Sequence, residues 1–401
     1  MRATNDERFA RLAPPRVGPF REDAFESPLH ATRTAAWLGV ALGVCFVTCF
    51  LTGFLSHLIQ HPPSWFAWPA RPAGLYRFTQ GIHVTTGIAS IPLLLAKLWT
   101  VYPSFWTWPP IRSAAHTVER ISLLPLVGGS LFLLVSGVAS ISRWFPWGFS
   151  FPPVHYAVAW ITIGALVVHV GAKIGATRVA LSSRSPDLAV DATARERGWG
   201  GLTRRGFLGA VAAASGALVV TTVGQTLRPL AALGVLAPRD PRVGPQGVPV
   251  NKTAEKAGVV EAATDPTYRL IVDGAVPTPL SLSPADLGAM PQRAATLPIA
   301  CVDGWSANGM WRGVPVRDLL ALAGAPEGSS AIVHSIQKAS APYASAEVSR
   351  GHAADPDTLL ALELNGEPLA LDHGFPVRLI GPNRPGVLQT KWVARLEVIA
   401  P

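Results

Sequence analysis

Cysteine is scarce in this chain, with three in 401 residues. Cys45 and Cys49 lie together in an apolar run, and Cys301 stands alone in Leu297-Pro-Ile-Ala-Cys-Val-Asp-Gly-Trp305. That set excludes a disulfide scaffold, and an intrachain bridge to Cys301 is not expected. A lone thiol in an exported domain points to a reactive group or a metal ligand, set against a small buried hydrophobe. Charge is sparse too, at 15% of residues, with a net +9. A basic surplus can signal nucleic acid. Here the arginines flank apolar runs, the pattern of membrane topology, so nucleic-acid binding is not expected.

Apolar residues make up 49% of the chain and are unevenly spread. Residues 35–227 hold the long apolar runs, and residues 240–401 read as a soluble domain of mixed polarity. A helix needs about 20 apolar residues to cross the hydrocarbon. Segments 35–59, 80–101, 120–142, 153–175 and 207–227 meet that length. Gly, Thr and His interrupt each, which suits a bundle packed around more than lipid.

Lys/Arg asymmetry sets the orientation. Arg2, Arg8, Arg11, Arg16, Arg21 and Arg33 load the N-terminal tail. Lys97, Arg112 and Arg120 mark the second connection, and Lys173, Arg178, Arg184, Arg195, Arg197, Arg204 and Arg205 the fourth. The first connection has Arg71 and Arg77, the third Arg143. The N-terminus is therefore expected in the cytoplasm and residues 228–401 outside it. Trp65, Phe66, Trp68, Trp144, Phe145, Trp147 and Phe149 in the outer connections read as an interfacial belt, with a docking surface as the alternative.

Thr203-Arg-Arg-Gly-Phe-Leu-Gly209 resembles a twin-arginine export signal, whose usual final Lys is Gly209 here. That route carries folded proteins, which suits a domain loaded with cofactor before export. The helix after it is expected to stay as an anchor.

His155 and His169 are 14 residues apart on the fourth span. They return to within about 40° of one face, separated by about 21 Å along the axis. One helix can thus hold an iron near each leaflet, and neutral imidazole is a common iron ligand. His83 is level with His155 and His30 with His169. His57 competes with His83, while His61 and His116 lie in connections. Residues 28–175 resemble the cytochrome b subunits of membrane formate dehydrogenases and hydrogenases. That resemblance implies two b haems, pairing His83 with His155 outside and His30 with His169 inside, and a quinone at the inner haem. No residue marks a quinone pocket directly.

Residues 229–263 read as a Pro/Gly-rich linker. From Tyr268 onward, strands are expected at the hairpin beginning Tyr268, at Thr296–Ala300, Ala331–Ile336, Val377–Ile380 and Val393–Ile399. Helices are expected at Arg317–Ala323 and Pro356–Glu363.

Cys301-Val-Asp-Gly-Trp305, then Trp311-Arg-Gly-Val-Pro-Val-Arg-Asp-Leu-Leu320, resembles the sulfite oxidase superfamily of molybdopterin enzymes. Leu364-Asn-Gly-Glu-Pro-Leu369, Gly374-Phe-Pro-Val-Arg-Leu379 and Lys391-Trp-Val-Ala-Arg-Leu-Glu397 come after them in family order. The resemblance covers about residues 265–400. It implies that Cys301 ligates molybdenum beside the pterin sulfurs, with Arg378 and Lys391 at the pterin and its phosphate. A Lys common after Gly386 in that family is missing, and Arg384 is the substitute for its charge. Asn251 can reach the pterin from the linker. Asp303 resembles the acid of the periplasmic methionine sulfoxide reductase branch; it is a proton donor or a turn-former before Gly304. The dimerisation domain of sulfite oxidases is not expected, since the sequence ends at Pro401.

The expected architecture is a membrane all-α bundle, four helices plus a fifth anchor, followed by an α+β sulfite oxidase-type domain. Its segments are a cytoplasmic tail (1–27), the cytochrome b-like bundle (28–178), a cytoplasmic linker (179–202), the signal and anchor helix (203–228), the outer linker (229–263) and the molybdopterin domain (264–401). The expected function is a membrane-bound molybdoenzyme of the bacterial plasma membrane. It exchanges electrons between a small S-oxide or oxyanion outside and the quinone pool. The alternative is a non-catalytic or ferric-reducing haem b protein whose outer domain binds a partner.

Overall fold

The computed structural model describes residues 18–20, 25, 27–106, 108, 114–182, 185, 187, 201–226 and 228–401. Most of the expected tail 1–27 and linker 179–202 lies outside the described residues. So do Arg2, Arg8, Arg11, Arg16, Arg21, Arg112, Arg184, Arg195 and Arg197. The chain divides into two compact units: Met1–Gly53 with Ile82–Thr221, and Phe54–Gly81 with Thr222–Pro401.

Five long helices make up most of the first unit: α1 (Thr32–Gln60), α2 (Leu75–Val101), α3 (Ala114–Ile141), α4 (Phe151–Leu181) and α5 (Arg204–Thr222), with the end of α1 and the start of α2 lying in the second. Each contains a stretch long and apolar enough to cross a membrane. Their polarity runs inside out. Val44, Leu51, Leu124, Val135, Ile161 and Val167 are exposed, whereas Thr34, Ser90, Ser130, Ser136 and Thr162 are buried. Several inner hydroxyls turn back onto their own helix: Ser90 Oγ donates to Thr86 O at 2.7 Å and Thr162 Oγ1 to Val158 O at 2.8 Å. That is what hydrocarbon solvent demands of polar groups. At Gly129 a Cβ would sit 2.2 Å from Thr162 Oγ1, so glycine there sets how closely α3 and α4 approach. Helix α5 starts with Gly206 N–H donating to Thr203 Oγ1 at 3.2 Å. It is tied to α2 by Ser215 Oγ donating to Ala89 O at 3.0 Å.

The second unit is α+β. Its strands are β1 (Leu270–Gly274), β2 (Leu280–Leu282), β3 (Arg293–Ala300), β4 (Ser306–Pro315), β5 (Ser330–Ser335), β6 (Ser345–Val348), β7 (Leu359–Leu364), β8 (Glu367–Pro368), β9 (Arg378–Ile380) and β10 (Val393–Ile399). One sheet runs β2-β1-β10-β5-β6; the other runs β3-β4-β7-β8, with β9 also on β7. β1 and β10 pair in parallel, Ile271 opposite Arg395. The remaining pairs are antiparallel. Alternation in β1 and β5 buries Leu270, Val272, Ala331 and Val333 in a core with Leu319, Leu360, Leu379 and Leu396. A second cluster gathers Leu297, Ile299, Cys301, Trp305 and Trp311.

Two expectations are corrected. Pro356–Glu363 is not a helix: its second half is strand β7, with Leu359, Leu360 and Ala361 fully buried. A short Leu-Leu-Ala run fits either element by pattern. Pairing with β4 on one side and with β8 and β9 on the other decides it. The linker 229–263 is structured at its end. Two short helices, α6 (Ala254–Ala257) and α7 (Val260–Thr264), bury Ala254, Val259 and Ala263 around Trp392. Small residues read as flexibility in the sequence, yet they let the backbone close on a large ring. Finally, of the two readings of the outer-connection aromatics, packing favours docking for Phe66 and Trp68. They pack with Ile59, Tyr76, Ala300 and Val302 inside the second unit.

Leu360 lies at 0% exposure in the main core. Leu360→Ala is expected to destabilise by about 2–5 kcal/mol. Heat-induced unfolding of the detergent-purified full chain, followed by tryptophan fluorescence, would show a lowered midpoint.

Candidate functional site

Strand β3 ends at Ala300 and β4 begins at Ser306, leaving a tight tip between them. Gly304 N–H donates to Cys301 O at 3.0 Å and Cys301 N–H to Trp305 O at 2.9 Å. Gly304 takes φ +92°, which a side chain would resist. The tip therefore presents Cys301, Val302 and Asp303 in a fixed order.

Cys301 is 4% exposed. Asn251 Nδ2 donates to its sulfur and to Asp303 Oδ2, each at 2.9 Å. Asp303 N–H lies 3.4 Å from the same sulfur. Asn251 is held in turn by Trp305 Nε1 at 3.0 Å and Arg239 Nη1 at 2.7 Å, both donating to Oδ1. Burial, reinforced by the Asp303 carboxylate, pushes the thiol far above its ordinary range. As a free group it would stay protonated; a bound cation would reverse that.

Three cations lie inside the same domain. Arg378 is 5% exposed and stacks over the Trp311 ring at 5.2 Å. Its Nη1 donates to His373 O at 3.1 Å, while its buried Nε has no partner among the described residues. Arg384 donates to Glu347 O at 2.7 Å and Leu388 O at 2.9 Å. Lys391 Nζ donates to Asp372 O at 2.9 Å and to Lys252 O, over the Trp392 ring. Among the described residues, the acceptors of all three are main-chain carbonyls, and none is a carboxylate. Desolvation accordingly lowers Arg378 to about 9 and Arg384 to about 10. Lys391 falls to about 7 through burial and then the charge of Arg378.

Buried cations hydrogen-bonded to carbonyls rather than carboxylates are costly, so Arg378 and Lys391 suit an anion. The donor set also suits an anionic pterin: a soft thiolate for the metal, an unpartnered guanidinium N–H and an ammonium for phosphate. Asn251 and Lys252, neighbours in sequence, join the halves, one gripping the sulfur and the other receiving Lys391. Arg378 and Lys391 flank Gly374, where a Cβ would approach both at 3.1–3.2 Å. Arg384 is spent on carbonyls of its own surroundings.

Sequence reasoning misses several residues here. His373 sits beside Arg378, its ring 2.8 Å from Pro245 O, and burial and the Arg378 charge lower it to about 4. It directly precedes the Gly374 block, which was the available hint. Tyr343 takes φ +58° in a loop, and burial, then Asp303 and Cys301, raise its hydroxyl. Gln80 Nε2 donates to Val302 O at 3.0 Å from a segment more than 200 residues away.

Among the histidines of the first unit, His83 and His155 come together, with ring centroids 6.5 Å apart. His83 Nδ1 lies 2.9 Å from Cys49 O and 3.2 Å from Thr52 Oγ1. His155 Nδ1 lies 3.3 Å from Ser136 Oγ. Anchoring Nδ1 reserves Nε2 for a ligand role. Two imidazoles sharing one metal at about 2 Å each would have centroids roughly 6 Å apart, so a shared iron fits this pair. A Cβ at Gly53 would press within 3.0 Å of the His83 ring. His30 keeps other company: it ends the turn Pro28–His30, with Nδ1 3.1 Å from Thr100 O and its ring 4.4 Å from that of Trp99. His169 is half-buried on α4. His57, in the second unit, lies ring to ring with His61 at 4.9 Å.

Residues 257–401 match the family model for the oxidoreductase molybdopterin binding domain. The C-terminal domain is that of an oxidoreductase. Sulfite oxidase of Gallus gallus is 33% identical over 167 residues, covering 35% of this chain and 36% of its own length. The putative protein-methionine-sulfoxide reductase subunit YedZ1 of Azospira oryzae is 33% identical over 139 residues, 35% of this chain and 50% of its own. The crystal structure of the sulfane dehydrogenase SoxCD from Paracoccus pantotrophus aligns at 30% identity, covering 34% of this chain and 39% of that one, with a TM-score of 0.31. The chain spans half or less of the length of each of these relatives.

Lys391 gives a pH test. In the unfolded chain it stays charged up to its ordinary 10.5; in the folded, cofactor-free domain it is charged only below about 7. Between those values the unfolded state binds more protons, so stability from this group rises with pH. Lys391→Met should raise the melting temperature of molybdenum-free protein near pH 6, with the gain shrinking toward about pH 9. A gain that is flat across that range would contradict the desolvation assigned to Lys391.

Proposed function

We propose that this chain is a membrane-bound molybdopterin oxidoreductase working between a small substrate outside the cytoplasm and the quinone pool, with two b haems as the electron relay. The observation that carries the proposal is the Cys301 sulfur, buried and gripped by Asn251, in a domain whose buried cations bond to main-chain carbonyls. Molybdopterin bound there would supply two-electron oxygen-atom exchange. Cys301 would hold its metal, with Arg378 and Lys391 at its phosphate. Asn251 fixes the orientation of the sulfur and keeps Asp303 beside it. Asp303 is the acid placed to hold a proton for a departing oxygen. An S-oxide is favoured, since both the sulfite oxidases and the sulfoxide reductase subunit act, by name, on sulfur compounds.

Haem belongs to the proposal through His83 and His155 for one iron and His30 and His169 for the other. Lys/Arg placement supports a bacterial plasma membrane with the N-terminus in the cytoplasm and the catalytic domain outside. The Thr203–Gly209 motif fits twin-arginine export. Quinone is the partner proposed for the inner haem.

Metal and haem content of the detergent-purified full chain test this reading. One molybdenum and two b haems per chain are expected. Cys301→Ser should remove the molybdenum, and Asn251→Ala should weaken its retention roughly 10–100-fold. His83→Ala should remove one haem and leave molybdenum in place. Haem without molybdenum, from cells able to make the cofactor, would favour a partner-binding or ferric-reducing protein instead.

A further inference from the structure

Asn383 lies at 1% exposure in the loop between Arg378 and Lys391, in left-handed backbone at φ +54°. Its polar groups are taken by residues 68–76. Its N–H donates to Ala73 O at 2.9 Å. Its carbonyl accepts from Trp68 Nε1 at 2.8 Å. Its side-chain Oδ1 accepts from Tyr76 N–H, and Nδ2 donates to Pro69 O, each at 2.6 Å. Tyr76 N–H is one of the first-turn donors of α2 that no intrahelical carbonyl can satisfy. Asn383 therefore caps α2 from about 300 residues away, and a buried group this fully bonded holds one geometry.

One turn further along α2, Gln80 donates to Val302 O, the carbonyl between Cys301 and Asp303. The Tyr76 side chain packs against Ala300, the residue before Cys301. Ala300 in turn is bridged to Pro385, two residues after Asn383. Arg77 Nη1 donates to Asn308 Oδ1 at 2.7 Å, and Arg71 pairs with Asp355 at 2.8 Å and with Asp357. The first outer connection thus meets the Cys301 tip from two directions.

We propose that Asn383 and Gln80 are positioning residues, which make residues 68–81 a fixed wall of the site and hold the Cys301–Asp303 tip in its metal-ready form. The inference rests on the reading of Cys301 as a metal ligand. It adds that a segment outside the molybdopterin domain completes the site. No bond is made or broken by either residue; each acts through the main chain of the tip.

The test uses the detergent-purified full chain from a host unable to make the cofactor. Alkylation of Cys301 by N-ethylmaleimide is read on its own peptide by mass spectrometry, alongside hydrogen exchange of residues 296–306. Asn383→Gly, which tolerates the left-handed backbone, and Gln80→Met should each speed alkylation about fivefold or more, the factor expected for losing one hydrogen bond. Exchange at the tip should rise with it. Should Asn383→Gly fail to purify, Trp68→Phe, which removes only the indole N–H, and Gln80→Met decide the matter. In molybdenum-loaded protein, Gln80→Met should shift the Mo(V) electron paramagnetic resonance signal, and the surface control Arg317→Ala should not. Wild-type alkylation and exchange in these variants would overturn the wall. Absence of molybdenum from the loaded wild type would overturn the metal reading, a separate outcome because the wall is measured without cofactor.

Discussion

The constraint on which the catalytic domain depends is buried positive charge whose hydrogen bonds, among the described residues, go to main-chain carbonyls. Arg378, Arg384 and Lys391 have given up water and received main-chain carbonyls in return. Carbonyl dipoles compensate part of the lost hydration but not the net charge. Beside them Cys301 is buried as a thiol that its surroundings discourage from ionising. Under the proposed function, a bound anionic cofactor with a cationic metal would offset both costs, with Arg378 and Lys391 holding its phosphate and Cys301 its metal.

That arrangement explains why residues preceding the first strand matter. Asn251 and Lys252 lie ahead of β1, yet they touch both ends of the site. The next residues fix them in place, because Ala254, Val259 and Ala263 close on Trp392, the neighbour of Lys391. Val248 is buried against the Cys301 cluster. The strap over the site is therefore held by apolar burial at both ends, and its polar contacts result from that placement. The same logic governs residues 66–81, where Phe66, Trp68 and Tyr76 pack together and the hydrogen bonds of Asn383 specify their register.

In the first unit the polarity is reversed. Apolar side chains face outward, hydroxyls turn back onto helix carbonyls, and glycine at positions 53 and 129 lets rings and helices approach. A histidine in such surroundings needs a partner for each nitrogen. Cys49 O and Thr52 serve Nδ1 of His83, and Ser136 serves Nδ1 of His155.

Composition and local pattern were enough for the features that depend on near neighbours in the chain. The five apolar helices come from run length, because hydrocarbon thickness is fixed. The thiol at Cys301 and the cations at Arg378 and Lys391 were legible because each sits in a distinctive local motif. The strands with clear alternation, such as β5 and β10, were legible for the same reason. Packing decided everything that depends on residues far apart. Leu359–Leu364 became a strand because β4 lay beside it, against a pattern that fitted a helix equally well. The Pro/Gly-rich stretch became a strap because Trp392 offered a surface to cover. Trp68 gained a tertiary partner because Asn383, 315 positions away, offered a carbonyl. Hydrophobic period and motif spacing report the forces a segment feels from its own neighbours. They carry no record of which distant backbone will arrive to satisfy a buried donor, and that is settled only when the chain has packed.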